Sequence, residues 1–138
     1  MISIFFYGTL CIPDVFHLVT QKKLELFKPI SANLIGFQAV YVENEIFPAL
    51  KKVLTDVSIK GMLIQIEEDD LNKLWAYEGE EDYFLDEIKV NCEGELRSTH
   101  CFFPNSSLEL TTREWTIEQW HEEHDFEQYI EKVKQWIG

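Results

Sequence analysis

A helical segment that ends in an acid constrains the fold of this chain more than any other feature. Residues 69–78 have the composition of a helix, and three apolar residues in them recur at i, i+3 and i+4: Leu71, Leu74 and Trp75. Position i+7 of this apolar face is Glu78, and Gly79 follows as a natural helix stop. A buried carboxylate is costly unless it is paired, and apolar surroundings raise its pKa toward the range useful for proton transfer. The pattern therefore predicts a proton-transfer group at the inner edge of the fold, unless the acid turns outward like the acids at 80–82.

The composition indicates a globular protein that does not bind nucleic acid. The chain has 138 residues, of which 46% are hydrophobic and 14% aromatic, so we expect a single packed domain over residues 1–138. Its formal charge is −13, from 25 acids and 12 bases, which repels nucleic acid and anionic membranes. It contains no apolar run long enough to span a membrane.

The chain has three cysteines: Cys11, Cys92 and Cys101. They are too few, and odd in number, for a disulfide framework. The first six residues are apolar but lack the basic segment of a secretion signal. We therefore predict a cytoplasmic location.

The remaining pattern predicts an α+β fold. We expect strands near residues 2–7, 24–29, 32–42 and 58–66, the last of them central because both of its faces are mostly apolar. A short helix should start at Pro13, and a hairpin should turn at residues 93–94 between strands at 83–91 and 96–103. Pro48 suits only an edge or a bend. This order predicts a small, barrel-like, strongly curved mixed sheet that is largely antiparallel and flanked by helices.

The C-terminal third is expected to be helical. Thr116 and Asp125 each stand at the N-cap position of a capping-box spacing. Beyond them lies an apolar face at helical spacing: Phe126, Tyr129, Ile130, Val133 and Ile137. We expect this face to dock on the protein's own sheet rather than on a partner.

The loop that ends the first strand has the character of an anion cradle. An apolar strand stops at Gly8, and a small hydroxyl residue and a short helix follow. Glycine permits backbone angles that aim successive N–H groups at one point, and a helix N-terminus adds partial positive charge. No phosphate-binding glycine pattern is present, so nucleotides are not implied.

Together, these motifs resemble the γ-glutamylcyclotransferase-like superfamily, in particular its branch of avirulence-induced-gene-like proteins and γ-glutamylamine cyclotransferases. The resemblance covers nearly the whole chain. Its pieces are the Tyr-Gly-Thr-Leu of residues 7–10, the Phe-Pro-Ala-Leu of 47–50, the glycine-containing strand 59–63, the Tyr-Glu-Gly of 77–79, Tyr83, and the Asp-Phe of 125–126.

The resemblance implies an enzyme that converts a γ-glutamyl amine or γ-glutamyl amino acid to 5-oxoproline and the free amine. Glu78 would be the general acid and base, at a cavity beside the Gly8 loop. Substrate binding is implied for five residues: Tyr7, Gly8, Thr9, Leu10 and Tyr83. The loop amides would hold either the oxyanion or the substrate α-carboxylate. No cofactor or metal is implied, the partner is a small γ-glutamyl molecule, and the chain would be a monomer or a homodimer.

Several alternatives stay open. Where the family often has a base after the tyrosine, this chain has Phe-Leu-Asp at 84–86; if that base helps to bind a carboxylate in the family, a different substrate preference is expected here. A non-catalytic γ-glutamyl-binding or regulatory domain would share the scaffold. A γ-glutamyl group on a larger partner is a further candidate, and the acidic surface favours a lysine-bearing one. A Cys11–His17 hydrolase and a metal bound at residues 121–125 have weaker support.

Overall fold

The computed structural model describes residues 1–137, which form eight strands and four helices. In chain order they are β1 (Ile2–Phe6), α1 (Pro13–Thr20), β2 (Ile30–Ile35), β3 (Phe37–Val42), β4 (Pro48–Lys52), β5 (Ser58–Ile66), α2 (Glu68–Glu78), β6 (Tyr83–Cys92), β7 (Glu95–Pro104), β8 (Leu110–Glu114), α3 (Ile117–Glu123) and α4 (Phe126–Ile137).

Five strands close into a barrel in the order β1-β5-β2-β6-β7. The pairs within it are antiparallel except β1 with β7, which run parallel where Ile4 faces His100. The β6–β7 hairpin turns at Glu93 and Gly94, which both have positive φ (54° and 85°), as the predicted two-residue turn requires. The remaining strands form a smaller sheet in the order β4-β3-β8. The predicted α+β fold with a curved mixed sheet is thus confirmed.

Strand β5 is an interior strand, as its two apolar faces predicted, with β1 on one side and β2 on the other; the closed barrel gives every one of its five strands two neighbours. Gly61 in this strand leaves room for the end of β1. A β-carbon at position 61 would lie 2.0 Å from the carbonyl oxygen of Phe6 and 2.7 Å from the ring of Phe5. Any side chain there would push β1 away, so this glycine sets the position of the loop that follows Phe6.

Two predicted strands differ in the structure. Residues 24–29 form no strand; Leu24–Phe27 is a 3-10 turn that ends where Lys28 adopts a left-handed φ of 50°. The stretch 32–42 divides into β2 and β3 at Gly36, whose φ of 86° turns the chain from the barrel to the second sheet. Short apolar runs are compatible with either structure, and packing decided between them.

In the second sheet, one prediction is confirmed and one strand was not predicted. Pro48 begins β4, which is an edge strand, as its missing N–H predicted. Strand β8 was not predicted, because its residues are mostly exposed and polar. Tertiary contacts hold it beside β3, including a hydrogen bond from the Thr111 hydroxyl to the carbonyl of Tyr41 (2.8 Å).

Helices α2 and α4 both pack against α1. Thr116 caps α3 by accepting from the Gln119 N–H, and Asp125 accepts from the Gln128 N–H, so both predicted caps are confirmed. The apolar face of α4 docks chiefly on α1 instead of the sheet, which corrects the prediction. No helix within residues 1–137 combines the length and apolar character that crossing a membrane requires.

Candidate active site

Glu78 is the last residue of α2, and the helix stops there because of the glycine that follows. Gly79 has a φ of 104°, and a β-carbon on it would lie 3.2 Å from a carboxylate oxygen of Asp82. Its carbonyl accepts from the N–H groups of Asp82 and Tyr83, so the chain returns directly into β6. Leu71 and Leu74 are buried on the same helix face, as the periodicity predicted. This anchoring fixes Glu78 where α2 meets β1.

Glu78 lines a cavity of about 230 Å³ between α2, α4 and the end of β1. The cavity is smaller than the ~300–1,000 Å³ sites of drug-sized ligands, so it suits a small group. Its lining includes the carboxylates of Glu78 and Asp82 and, among residues 1–137, no lysine, arginine or histidine. A negative cavity of this size favours a small ligand that carries an ammonium group.

Burial raises the pKa of Glu78 to about 7. The residue is half-buried because it faces the cavity, yet protein atoms surround its carboxylate and remove it from bulk water. Within the described part of the chain, its carboxylate has no hydrogen-bond or ion-pair partner. An unpaired carboxyl that titrates near neutral pH can both accept and return a proton under physiological conditions.

The loop after β1 brings free backbone amide groups to the same cavity. The N–H groups of Cys11 and Ile12 bond the carbonyls of Gly8 and Thr9 (3.0 Å each), and these bonds form a 3-10 turn at Thr9–Cys11. The N–H groups of residues 8–10 have no backbone acceptor anywhere in residues 1–137, and all three residues line the cavity. These amides are available to an anionic group of a ligand.

The reason for glycine at position 8 differs from the one expected. The φ of Gly8 is −106°, so no left-handed conformation requires a glycine there. Instead, a β-carbon would lie 3.2 Å from the Pro48 side chain, which is tighter than most contacts. Nor does α1 supply a helix N-terminus directly behind Gly8, because the 3-10 turn intervenes and α1 starts at Pro13.

Three hydroxyl groups form a closed ring on another wall of the cavity. Thr9 Oγ1 lies 2.7 Å from the hydroxyl of Tyr77 and 3.4 Å from that of Tyr129, and the two tyrosine hydroxyls also bond each other. Each group can donate to the next around this ring. The ring joins the loop after β1 to α2 and α4, and burial raises the pKa of both phenols.

The predicted site residues do not all reach the cavity. Tyr7, Thr9 and Leu10 line it together with Gly8, whereas Tyr83 is not among its lining residues. The Tyr83 hydroxyl is buried and donates to the carbonyl of Pro48 (2.8 Å), so the side chain supports the segment that contacts Gly8. Its direct role in substrate binding stays a prediction.

Tyr77, Tyr129, Asp82 and Trp136 also line the cavity and were not predicted as site residues. For Tyr77 the position beside Glu78 was a usable signal. Tyr129 was assigned to the apolar face of the last helix, and nothing local distinguishes its hydroxyl from that of a core tyrosine.

The structure gives little support to the alternative Cys11–His17 hydrolase or to a metal site at residues 121–125. Burial raises the pKa of Cys11 to about 12, so its thiol stays protonated, and His17 is exposed on α1. Among residues 1–137, no group of three histidine, cysteine or acidic side chains is arranged to hold a metal ion. His121, from the acidic segment at 121–125, packs against the rings of Trp120 and Phe126 instead.

Residues 4–122 match the family model described as gamma-glutamyl cyclotransferase, AIG2-like. The match spans most of the chain, so this protein belongs to that family, and its enzymatic class is cyclotransferase. No curated protein sequence matches the chain.

Solved structures share the fold at low sequence identity. A protein of Arabidopsis thaliana solved in solution is 23% identical with a TM-score of 0.67, and the superposition covers 97% of this chain and 89% of that one. A gamma-glutamyl cyclotransferase structure is 16% identical with a TM-score of 0.64, covering 96% and 86%. A yeast gamma-glutamyl cyclotransferase specific to glutathione is 10% identical with a TM-score of 0.56, covering 99% and 95%.

Proposed function

We propose that this protein cyclises a γ-glutamyl compound to 5-oxoproline and releases the free amine, with Glu78 as the only acid–base group. The observation that carries this proposal is the unpaired Glu78 carboxyl, with its pKa near 7, beside the free amides of residues 8–10 in one small cavity. Gamma-glutamyl cyclotransferase is the activity of the family to which the chain belongs.

The reaction begins with a proton transfer from the substrate α-ammonium group to Glu78. The freed nitrogen lone pair attacks the γ-carbonyl carbon, a C–N bond forms, and the carbonyl oxygen becomes an oxyanion. Collapse of this intermediate breaks the bond to the leaving nitrogen. The attacking nitrogen loses two protons in all and the leaving nitrogen gains two; Glu78 carries them one after the other and ends as the carboxylate with which the reaction began. A carboxyl with a pKa near 7 serves both steps, because its two protonation states differ little in free energy at neutral pH.

The amides of residues 8–10 supply the positive pole of the site, since the lining carries no basic side chain. They hold either the oxyanion or the substrate α-carboxylate. Converting the substrate α-carboxylate to a carboxamide separates these roles. If the amides bind the α-carboxylate, KM rises and kcat changes little; if they bind the oxyanion, both constants stay near those of the acid.

The family assignment leaves the substrate open. We would measure 5-oxoproline release from γ-glutamyl amino acids, ε-(γ-glutamyl)-lysine and glutathione, with the Glu78→Gln protein alongside. Release that disappears in the variant supports the proposal and ranks the substrates. No release from any of them by the folded protein would favour a γ-glutamyl group carried by a larger partner, or a non-catalytic γ-glutamyl-binding domain. We propose in addition a cytoplasmic location, because Cys11, Cys92 and Cys101 are free thiols.

A further inference from the structure

A second cavity shares a single lining residue, Tyr7, with the Glu78 cavity within the described part of the chain. It encloses about 480 Å³, against about 230 Å³ for the Glu78 cavity. Cavities that bind small organic molecules usually enclose ~300–1,000 Å³, so the second cavity has the size of such a site. Because only Tyr7 is common to both, it is a separate candidate site.

The second cavity lies between the barrel and the second sheet. Residues 57–60, at the start of β5, form the barrel wall. The start of β3 and residues 114–118 form the other wall, and the Trp115 N–H joins these two segments by donating to the carbonyl of Ala39 (2.9 Å). Large apolar side chains line both walls: Phe37, Ile59, Trp115 and Ile117. The cavity therefore suits a ligand with an apolar body.

The two walls carry charges of opposite sign. Lys60 belongs to the barrel wall, whereas Glu114 and Glu118 belong to the other wall. None of the three forms an ion pair within residues 1–137, although the Glu114 carboxylate accepts a hydrogen bond from Gln38 (3.4 Å). Charges that do not neutralise each other are available to a ligand that carries both a carboxylate and an ammonium group.

We propose that the second cavity binds a free α-amino acid with a large apolar side chain. Lys60 binds its carboxylate, Glu114 and Glu118 bind its ammonium group, and the side chain packs on the apolar lining. A plain amine or a plain acid satisfies only one wall, and a small amino acid leaves the apolar lining uncovered. The inference does not depend on the proposed cyclisation at Glu78, because binding here requires no turnover.

The test is calorimetric binding of L-phenylalanine and of two analogues, each of which lacks one of its charges. 3-Phenylpropanoate has no ammonium group, and phenethylamine has no carboxylate. We expect L-phenylalanine to bind with a Kd of about 0.1–1 mM and each analogue to bind roughly tenfold more weakly, because it loses its contact with one wall. Equal affinity for either analogue, or no saturable binding of L-phenylalanine, would overturn the inference.

Variants of the two walls should affect different analogues. Lys60→Gln should weaken the binding of L-phenylalanine and 3-phenylpropanoate by roughly fivefold and leave phenethylamine unchanged, and Glu118→Gln should do the reverse. Lys89→Gln and Glu127→Gln are the matched controls, since both change an exposed charge outside the cavity, on β6 and in the first turn of α4. Equal losses in the controls, or none in the wall variants, would contradict the proposed site.

The Glu78 cavity also favours an ammonium group, so Glu78→Gln tests which cavity the amino acid occupies. The Kd of L-phenylalanine should be the same in this variant as in the wild type. Weaker binding in Glu78→Gln, with unchanged binding in Lys60→Gln, would assign the amino acid to the Glu78 cavity and overturn the inference. Release of 5-oxoproline tests the cyclisation separately, because the second cavity should bind L-phenylalanine whether or not the protein turns over a γ-glutamyl compound.

Discussion

Tyr77 and Glu78 are neighbours in sequence and line the same cavity, yet only the tyrosine has hydrogen-bond partners for its polar group. The Tyr77 hydroxyl is bonded on both sides, to Thr9 and Tyr129. The Glu78 carboxylate has no partner among the described residues, and burial alone raises its pKa to about 7. One wall of the cavity is therefore satisfied and holds its shape, while the other keeps an uncompensated group. A carboxyl that faces the cavity without a protein partner, and whose pKa burial has raised, is a candidate for chemistry.

Replacing Glu78 should have the largest effect on activity, because it removes the unpaired acid from the cavity. Glu78→Gln keeps the shape of the side chain but cannot accept the ammonium proton, so kcat should fall by about 10²–10⁴. The measurement is the rate of 5-oxoproline release at saturating substrate. Glu80→Gln is the control, because it removes an exposed acid two residues away with the same change of charge. Full activity in Glu78→Gln would show that the acid has no catalytic role.

The same variant should change how stability depends on pH. Because the folded-state pKa of Glu78 is raised from 4.5 to about 7, folding favours its protonated form. The free-energy cost of burying Glu78 in its ionised form is absent below pH 4.5 and grows as the pH rises from 4.5 to 7. Above pH 7 it stays constant at roughly 3 kcal/mol. Urea unfolding of both proteins should give equal free energies at pH 4.5 and a variant more stable by roughly 2–3 kcal/mol at pH 8. Parallel curves would mean that Glu78 is solvated.

A bulkier residue at position 8 should affect ligand binding more than folding. The β-carbon of Gly8→Ala already lies 3.2 Å from Pro48, and Gly8→Val adds two methyl groups beside the free amides. We expect Gly8→Val to raise KM by about tenfold or more and to cost roughly 1–2 kcal/mol of stability from overpacking. Gly8→Ala should fall between this variant and the wild type. A Gly8→Val protein with unchanged KM would contradict the proposed amide cradle.

The hydroxyl ring should give the smallest effects if its role is structural. Tyr129→Phe removes one hydroxyl but leaves Thr9 and Tyr77 bonded to each other, so we expect a loss of about 1 kcal/mol of stability. The rate should fall by only a few fold, and the acid limb of its pH profile should not move. Tyr41→Phe, whose hydroxyl meets Glu123 away from the cavity, is the control. A loss of rate as large as that of Glu78→Gln would mean that the ring takes part in proton transfer.

Much of the barrel could be predicted from sequence, and much of the second sheet could not. The β6–β7 hairpin and interior β5 follow from turn residues and apolar patterns that act over a few positions. Strand β8 is polar and largely exposed, so it has no such pattern and depends on its contact with β3. For the site, the loop at residues 7–10 and Glu78 were predicted, because each lies at the end of a regular element. Trp136 was not, since its neighbours in space come from other helices.

The sequence alone determined the local features of this protein: α2 ends at Gly79, so Glu78 closes an apolar helix face, and Thr116 and Asp125 cap the last two helices. These outcomes depend on interactions within one or two turns of chain. Only the tertiary structure decided which groups share the cavity, because Tyr129 meets Thr9 across 120 residues. It also decided the pKa of Glu78, since desolvation depends on every atom packed around the carboxylate and not on its neighbours in sequence.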